Sequence, residues 1–333
     1  MKIVRRLVLP AVVLATLCAL STPDVKATPG TGTLFGTDAF NGNLITMDPT
    51  NFLKDPTTGG ASVVGPMGVG PIPSLAVDPL TGIIYAGGGG GVPNIYTVNP
   101  ATGAATLLGD TGLGFAAVED LDFNAAGTLY ASVNIAGAAG TGADHLAIIN
   151  KGTGAATVIG PFGSCTGVTI PSTGGGSCTI EGMAGIAFDG AGRLWGSHRV
   201  IDVVAAGSPG LYRINVATGA ATFVAPFLDA SGGSLSGGVA SLRFACNGTL
   251  YGGTVFAVAP ATDGGDLITI NPATGAFSTI GKAVQDASLG ALAFQTACPT
   301  PRRIPAASGG VTILLALLFA ASLAWMISRK RVV

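Results

Sequence analysis

Charge is scarce in this chain: 10% of its 333 residues are Asp, Glu, Lys or Arg, and histidine occurs twice. Little material is left for acid–base or metal chemistry. A paired-histidine zinc motif, a nucleophile elbow and an Asp-x-Asp-x-Asp-Gly calcium loop are all missing. The glycine run at 87–91 lacks the Lys and the following helix that a phosphate loop needs. With no close cysteine pair and only His145 and His198 besides, zinc is disfavoured. Helical periodicity is missing too, because Gly (53 residues) and Pro (20 residues) interrupt nearly every stretch.

Cations are especially rare in the body. Residues 28–300 hold seven Lys or Arg (Lys54, Lys151, Arg193, Arg199, Arg213, Arg243, Lys282) against sixteen Asp or Glu, a net of −9. An acidic body without clustered cations disfavours nucleic acid and anionic membrane faces as partners.

The ends have another character. "MKIVRR" followed by "LVLPAVVLATLCAL", with Val25-Lys26-Ala27 as cleavage site, predicts an export signal over 1–27. At the other end, Ile304 to Ser328 carries no charge, and a membrane helix is expected over 311–328. The basic tail at 329–333, with Arg329, Lys330 and Arg331, belongs on the cytoplasmic side, so the body at 28–300 is expected outside, joined to the helix by a linker at 301–310.

What the body has in plenty is repetition. "NPATGA" stands at 99–104 and 271–276, "NKGTGA" at 150–155 and "NVATGA" at 215–220. Each follows a strand pattern with apolar residues two apart, such as Tyr96 and Val98 or Ile268 and Ile270, which is the period of a pleated strand. A second strand pair alternates with the first: "LAVDPLTGIIYAG", "LDFNAAGTLYAS", "IAFDGAGRLWGS" and "LRFACNGTLYGG". Four short strands per unit make a β-propeller blade. Full blades are expected at 75–109, 121–160, 186–226 and 242–281. "GTLFGTD" at 32–38 lacks its first strand, and "LGALAFQTACPT" at 289–300 is a first strand without a successor. Their pairing gives a fifth, composite blade and closes the ring. A degenerate sixth blade within 161–185 stays open. The predicted fold class is therefore all-β: a single five-bladed propeller followed by one transmembrane helix.

Within the hexapeptide, Asn ends a strand, Pro100 and Pro272 preset the turn, and Gly103, Gly154, Gly219 and Gly275 supply the positive φ of the return strand. Asn247-Gly248-Thr249 has the form of a glycosylation acceptor but occupies a hairpin turn.

Setting Cys18 aside with the signal, four cysteines remain in an exported body, so disulfides are expected over metal or thiol chemistry. Cys165–Cys178 would tie a loop and Cys246–Cys298 would lock the closing strand; four cysteines allow three connectivities.

The chemistry-bearing candidates are few. Glu119, Asp120 and Asp122 in "VEDLDF" lie on an inner strand and offer hard oxygen ligands for Ca²⁺; the alternative is solvated acids and turn residues, with no cofactor at all. For catalysis, His198 at a strand end is a candidate general base, with Glu119, Asp122 and Glu181 as companions at the channel mouth.

The alternation of "LAVDPLTGIIYAG" with "LYRINVATGAATFVA" resembles exported bacterial propellers of the YVTN and NHL-like kind, and the streptogramin-lyase-like propellers. That resemblance covers residues 32 to about 296 and implies fold, not function. The tail resembles tripartite C-terminal sorting signals: Ile304-Pro305 begins like the IPTL-CTERM form, Ser308-Gly309-Gly310 looks like the GlyGly-CTERM form, and the PEP-CTERM type shares the layout. It implies a transient membrane anchor, a processing protease, and release or transfer to the cell surface. The expected function is a binding module of the cell envelope for a protein, glycan or matrix ligand. The alternative is an extracytoplasmic lyase or hydrolase.

Overall fold

The computed structural model describes residues 33–39, 41–50, 52, 60–135, 144–163, 182–198, 210–235, 237–255, 264–285 and 288–295. All belong to one unit, Met1–Cys298. The predicted signal at 1–27, linker at 301–310, membrane helix at 311–328 and tail at 329–333 lie outside the described residues. Among those described, no helix is long and apolar enough to cross a membrane.

Strands follow the repeat. β1 (Leu34–Asp38), β2 (Asn43–Met47) and β3 (Ser62–Pro66) begin the chain; β4 (Ser74–Val77), β5 (Ile84–Gly87), β6 (Asn94–Val98) and β7 (Ala105–Asp110) form the next blade. β8 (Ala116–Phe123), β9 (Leu129–Ile135), β10 (Asp144–Ile149) and β11 (Ala156–Pro161) make the third. β12 (Met183–Phe188), β13 (Leu194–His198), β14 (Gly210–Ile214) and β15 (Ala221–Pro226) make the fourth. β16 (Val239–Phe244), β17 (Leu250–Thr254), β18 (Asp266–Ile270) and β19 (Phe277–Lys282) make the fifth, and β20 (Leu289–Phe294) returns to the first. The fold is a five-bladed β-propeller. Each of the five sheets has four antiparallel strands, and the first has the order β20-β1-β2-β3. Leu34 pairs with Phe294 and Thr37 with Ala291, so the ring closes through the expected composite blade. The blades extend a little beyond the repeat-based limits, because the first strands start before the repeated motif, as β8 does at Ala116.

Leucine or isoleucine in the middle of each first strand anchors the core: Leu75, Leu121, Ile186, Leu242 and Leu292 are all fully buried. Apolar side chains fill the gaps between neighbouring sheets. Tyr96 and Val98 of the second blade pack with Phe35 and Ala293 of the first, for example. At roughly 1.5–3 kcal/mol for each large buried side chain, these inter-blade layers dominate the stability of the ring.

The hexapeptide does more than turn the chain. Asn99 Oδ1 accepts from the Ala101 amide and its carbonyl from Gly103, with Gly103 at φ +80°. The same bonds recur at Asn150, Asn215 and Asn271. Each hinge also presses on the outer strand of the preceding blade. A Cβ at Gly103 would stand 2.5 Å from the Gly65 oxygen, and Gly154 and Gly219 face Gly109 and Gly160 in the same way. The next amide then crosses the blade boundary: Ala105 donates to Met67, Ala156 to Thr111, Ala221 to Phe162 and Phe277 to Leu228, at 2.9–3.0 Å. The hinge is an inter-blade clasp.

Candidate functional site

The first strands β20, β4, β8, β12 and β16 stand side by side around the channel. Each belongs to a separate sheet, so each turns an unpaired backbone edge inward. Buried amides and carbonyls without partners cost free energy, and something must satisfy them.

Three charged side chains do so. Arg243 on β16 donates from Nε to the Leu292 carbonyl of β20 (2.8 Å) and from Nη2 to Leu75 of β4 (2.9 Å) and Leu121 of β8 (2.8 Å). Asp120 Oδ2 accepts from the Ile186 amide of β12 at 3.0 Å and the Leu242 amide of β16 at 3.4 Å. Asp122 Oδ2 accepts from the Phe188 amide at 2.7 Å, while its Oδ1 meets Arg243 Nη1. All five inner strands are therefore bound by one Asp–Arg–Asp cluster. Burial pushes the Asp120 carboxyl well above the usual carboxylate range, against the pull of Arg243 and the Ile186 and Leu121 amides. Asp122 is raised as well, again by burial, with Arg243 and the Phe188 and Phe123 amides opposing.

Two of the candidate calcium residues, Asp120 and Asp122, are thus engaged by Arg243 and by the amides of neighbouring strands. The cation beside Asp120 and Asp122 is the guanidinium of Arg243. Glu119 is the bulged residue of β8, where the register shifts between Val118 and Asp120, and it lines the channel mouth instead. Among the described residues, no three His, Cys, Asp or Glu side chains are grouped so as to hold a metal ion.

Among the described residues, a depression of about 210 Å³ at the mouth is lined by Pro71, Pro73, Gly89, Glu119, Val255 and Gly290, among others. Phe115 on the same rim is 70% exposed and Val92 52%. The Phe115 ring occupies the space a Cβ on Gly91 would need, and Gly91 has φ +84°, so two constraints meet at that glycine.

Three of the four catalytic candidates lie among the described residues. Asp122 is in the channel with Arg243, and Glu119 lines the mouth. His198 ends β13, one strand out from the channel, with its ring 6.3 Å from that of Tyr212. Glu181 lies outside the described residues, as do Cys165, Cys178 and Cys298. Cys246 is disulfide-bonded.

Sequence reasoning placed Asp120 and Asp122 on an inner strand but missed Arg243. A signal was available: "SLRF" puts Arg243 where the other blades carry Ala76, Ala187 and Ala293, with Asp122 the fifth of that layer.

No protein-family model matches the sequence, and no curated protein matches it. Solved structures similar to it include a nidogen/laminin complex, at 15% identity over 79% of this chain and 82% of that one, TM-score 0.45. A gluconolactonase from Xanthomonas campestris is 12% identical over 77% and 73%, TM-score 0.43. The calcium-binding protein regucalcin from Agrobacterium tumefaciens is 17% identical over 81% and 74%, TM-score 0.40. At these values the likeness carries nothing about chemistry.

Proposed function

We propose that this chain is an exported propeller whose mouth rim binds a protein, glycan or matrix component of the cell envelope, held there or sorted onward through its C-terminal segment. One observation carries the reading: the channel is closed by Arg243, Asp120 and Asp122, so recognition falls to the rim above it. Among the described residues, that rim includes the connection at 88–93 between β5 and β6, which is longer than the one between β1 and β2. Loops of unequal length on a rigid scaffold are the usual carriers of recognition. Phe115 and Val92 add an exposed apolar contact.

Export and anchoring are supported by the signal-like 1–27 and by the uncharged 304–328 followed by basic residues. Cys298, four residues beyond β20, is the proposed partner of Cys246. A lyase or hydrolase has less support, since Asp122 is committed to the cluster and His198 to a second strand.

The test pairs a glycan array with capture from envelope fractions, using the full chain and a Phe115→Ser/Val92→Ser variant. Selective capture that the variant loses is expected. Equal capture by both, or turnover of ester or lactone substrates by the pure protein, would overturn the reading. For export, the N-terminal sequence of the mature protein should begin after Ala27; a cytoplasmic protein retaining 1–27 would end that part.

A further inference from the structure

The five blades place equivalent residues in register, which makes departures visible. On the second strands stand Phe35, Tyr85, Tyr130, Trp195 and Tyr251; opposite them on the third strands stand Thr46, Thr97, Ile148, Arg213 and Thr269. Two residues before each aromatic come Thr33, Ile83, Thr128, Arg193 and Thr249. The fourth blade alone has arginine at both positions. Their guanidiniums lie over the same indole, Arg213 at 4.4 Å and Arg193 at 5.9 Å from the Trp195 ring centre.

Covering the ring does not explain them. Tyr85 and Tyr251 are 5% and 8% exposed beside threonine, against 7% for Trp195. Nor does local pairing: Asp189 Oδ2 takes Arg193 Nε (2.7 Å) and the Trp195 indole N–H (2.9 Å), while its Oδ1 takes the Ala191 and Arg193 amides. One carboxylate faces two guanidiniums. Among the described residues the Arg213 side chain makes no hydrogen bond, and its Nε is buried without a partner. Burial and the Arg193 charge together lower the pKa of Arg213, against Asp189.

We infer that Arg193 and Arg213 form a binding site for an oxyanion (carboxylate, sulfate or phosphate ester), separate from the mouth rim. The forked N–H groups of arginine fit such oxygens in pairs, and an anion there relieves the repulsion between the two cations. In a body of net −9, such a site is a local concentration of positive charge. Arg193, 57% exposed, offers the approach, with exposed Thr222 opposite Arg213 on β15.

Trp195 reports the site directly. The chain has two tryptophans, so a full-length Trp325→Phe protein leaves Trp195 as the single fluorophore. Titration with inorganic sulfate, inorganic phosphate and glucuronate, each at matched ionic strength against chloride, is expected to give a saturable change with at least one of them. The order of affinities separates an acidic-glycan source from a phosphate-ester source. Arg213→Gln and Arg193→Gln should each weaken binding about tenfold or more, and Lys151→Gln should leave it unchanged. Should Arg213→Gln fail to fold, Arg213→Lys keeps the charge, loses the fork and is expected to weaken binding several-fold. No saturable change in any titration, or equal affinity in the arginine variants, would overturn the site.

Discussion

At the rim away from the mouth, the hairpins joining first and second strands satisfy their own polar groups. Asp78, Asn124, Asp189 and Asn247 each accept from the amide two residues on, at Leu80, Ala126, Ala191 and Thr249. Lys151 bridges to Asp78 at 2.7 Å and lies 5.4 Å from the centre of the Phe123 ring, joining the second and third blades. At the mouth, the connection between β5 and β6 is longer than the one between β1 and β2, and Phe115 and Val92 stand out into solvent. The contrast separates two tasks. Uniform turns, clasps and the channel cluster set the ring, which frees the mouth to vary without loss of fold.

The sharpest attack on that division is Arg243→Met. It leaves Asp120 and Asp122 buried without their cation and frees three carbonyls, and it should cost about 3–5 kcal/mol in denaturant unfolding. A loss below about 1 kcal/mol would mean that the cluster does not bind the blades together.

Next comes the clasp. Gly219 and Gly112 both have positive φ, +80° and +75°, but only Gly219 abuts a neighbouring blade, at Gly160. Gly112→Ala should cost roughly 1 kcal/mol, and Gly219→Ala about 1–3 kcal/mol more. Equal costs would reduce the hexapeptide to a hinge. By the same reasoning Gly275→Val should lower the melting temperature more than Pro272→Ala.

The pH profile divides the two carboxylate classes. Asp120 and Asp122 are raised, so the folded protein holds protons that the unfolded chain releases above about pH 3.9. Their share of the stability is fully present below that pH and falls as pH rises through the raised values. Asp78 and Asp189 are lowered: burial works upward on both but is outweighed, by Lys151 and the Leu80 amide at Asp78 and by Trp195 and Arg193 at Asp189. Their contribution is lost as pH falls through the acid range. Asp120→Asn should flatten the decline toward neutral pH, and Asp189→Asn should weaken the acid limb, both read from melting across pH 3–8.

The smallest effect belongs to the mouth. Phe115→Ser should change stability by no more than about 0.5 kcal/mol while removing ligand capture. A larger destabilisation would place Phe115 in the scaffold.

Architecture was legible because each blade repeats its own grammar: Gly103 and its counterparts marked the hinges, and the fragments at 32–38 and 289–300 announced the closure. The channel was half legible. Asp120 and Asp122 could be put on an inner strand, but their partner comes from β16, some 120 residues later, and pairing at that distance leaves no periodic trace. The clasp escaped notice for a different reason. Gly65, Gly109 and Gly160 look like strand-end glycines, and their role depends on a neighbouring turn that only the assembled ring supplies.

The pairing of β1 with β20 also sets a schedule. Leu34 must wait for Phe294 before the first sheet has its fourth strand, so no partly synthesised chain can finish the ring. Until the final strand arrives, β1 keeps an open edge and the Arg243 bond to Leu292 is unmade. Closure of the ring therefore comes last, and until then the β1 edge is open to association with another strand.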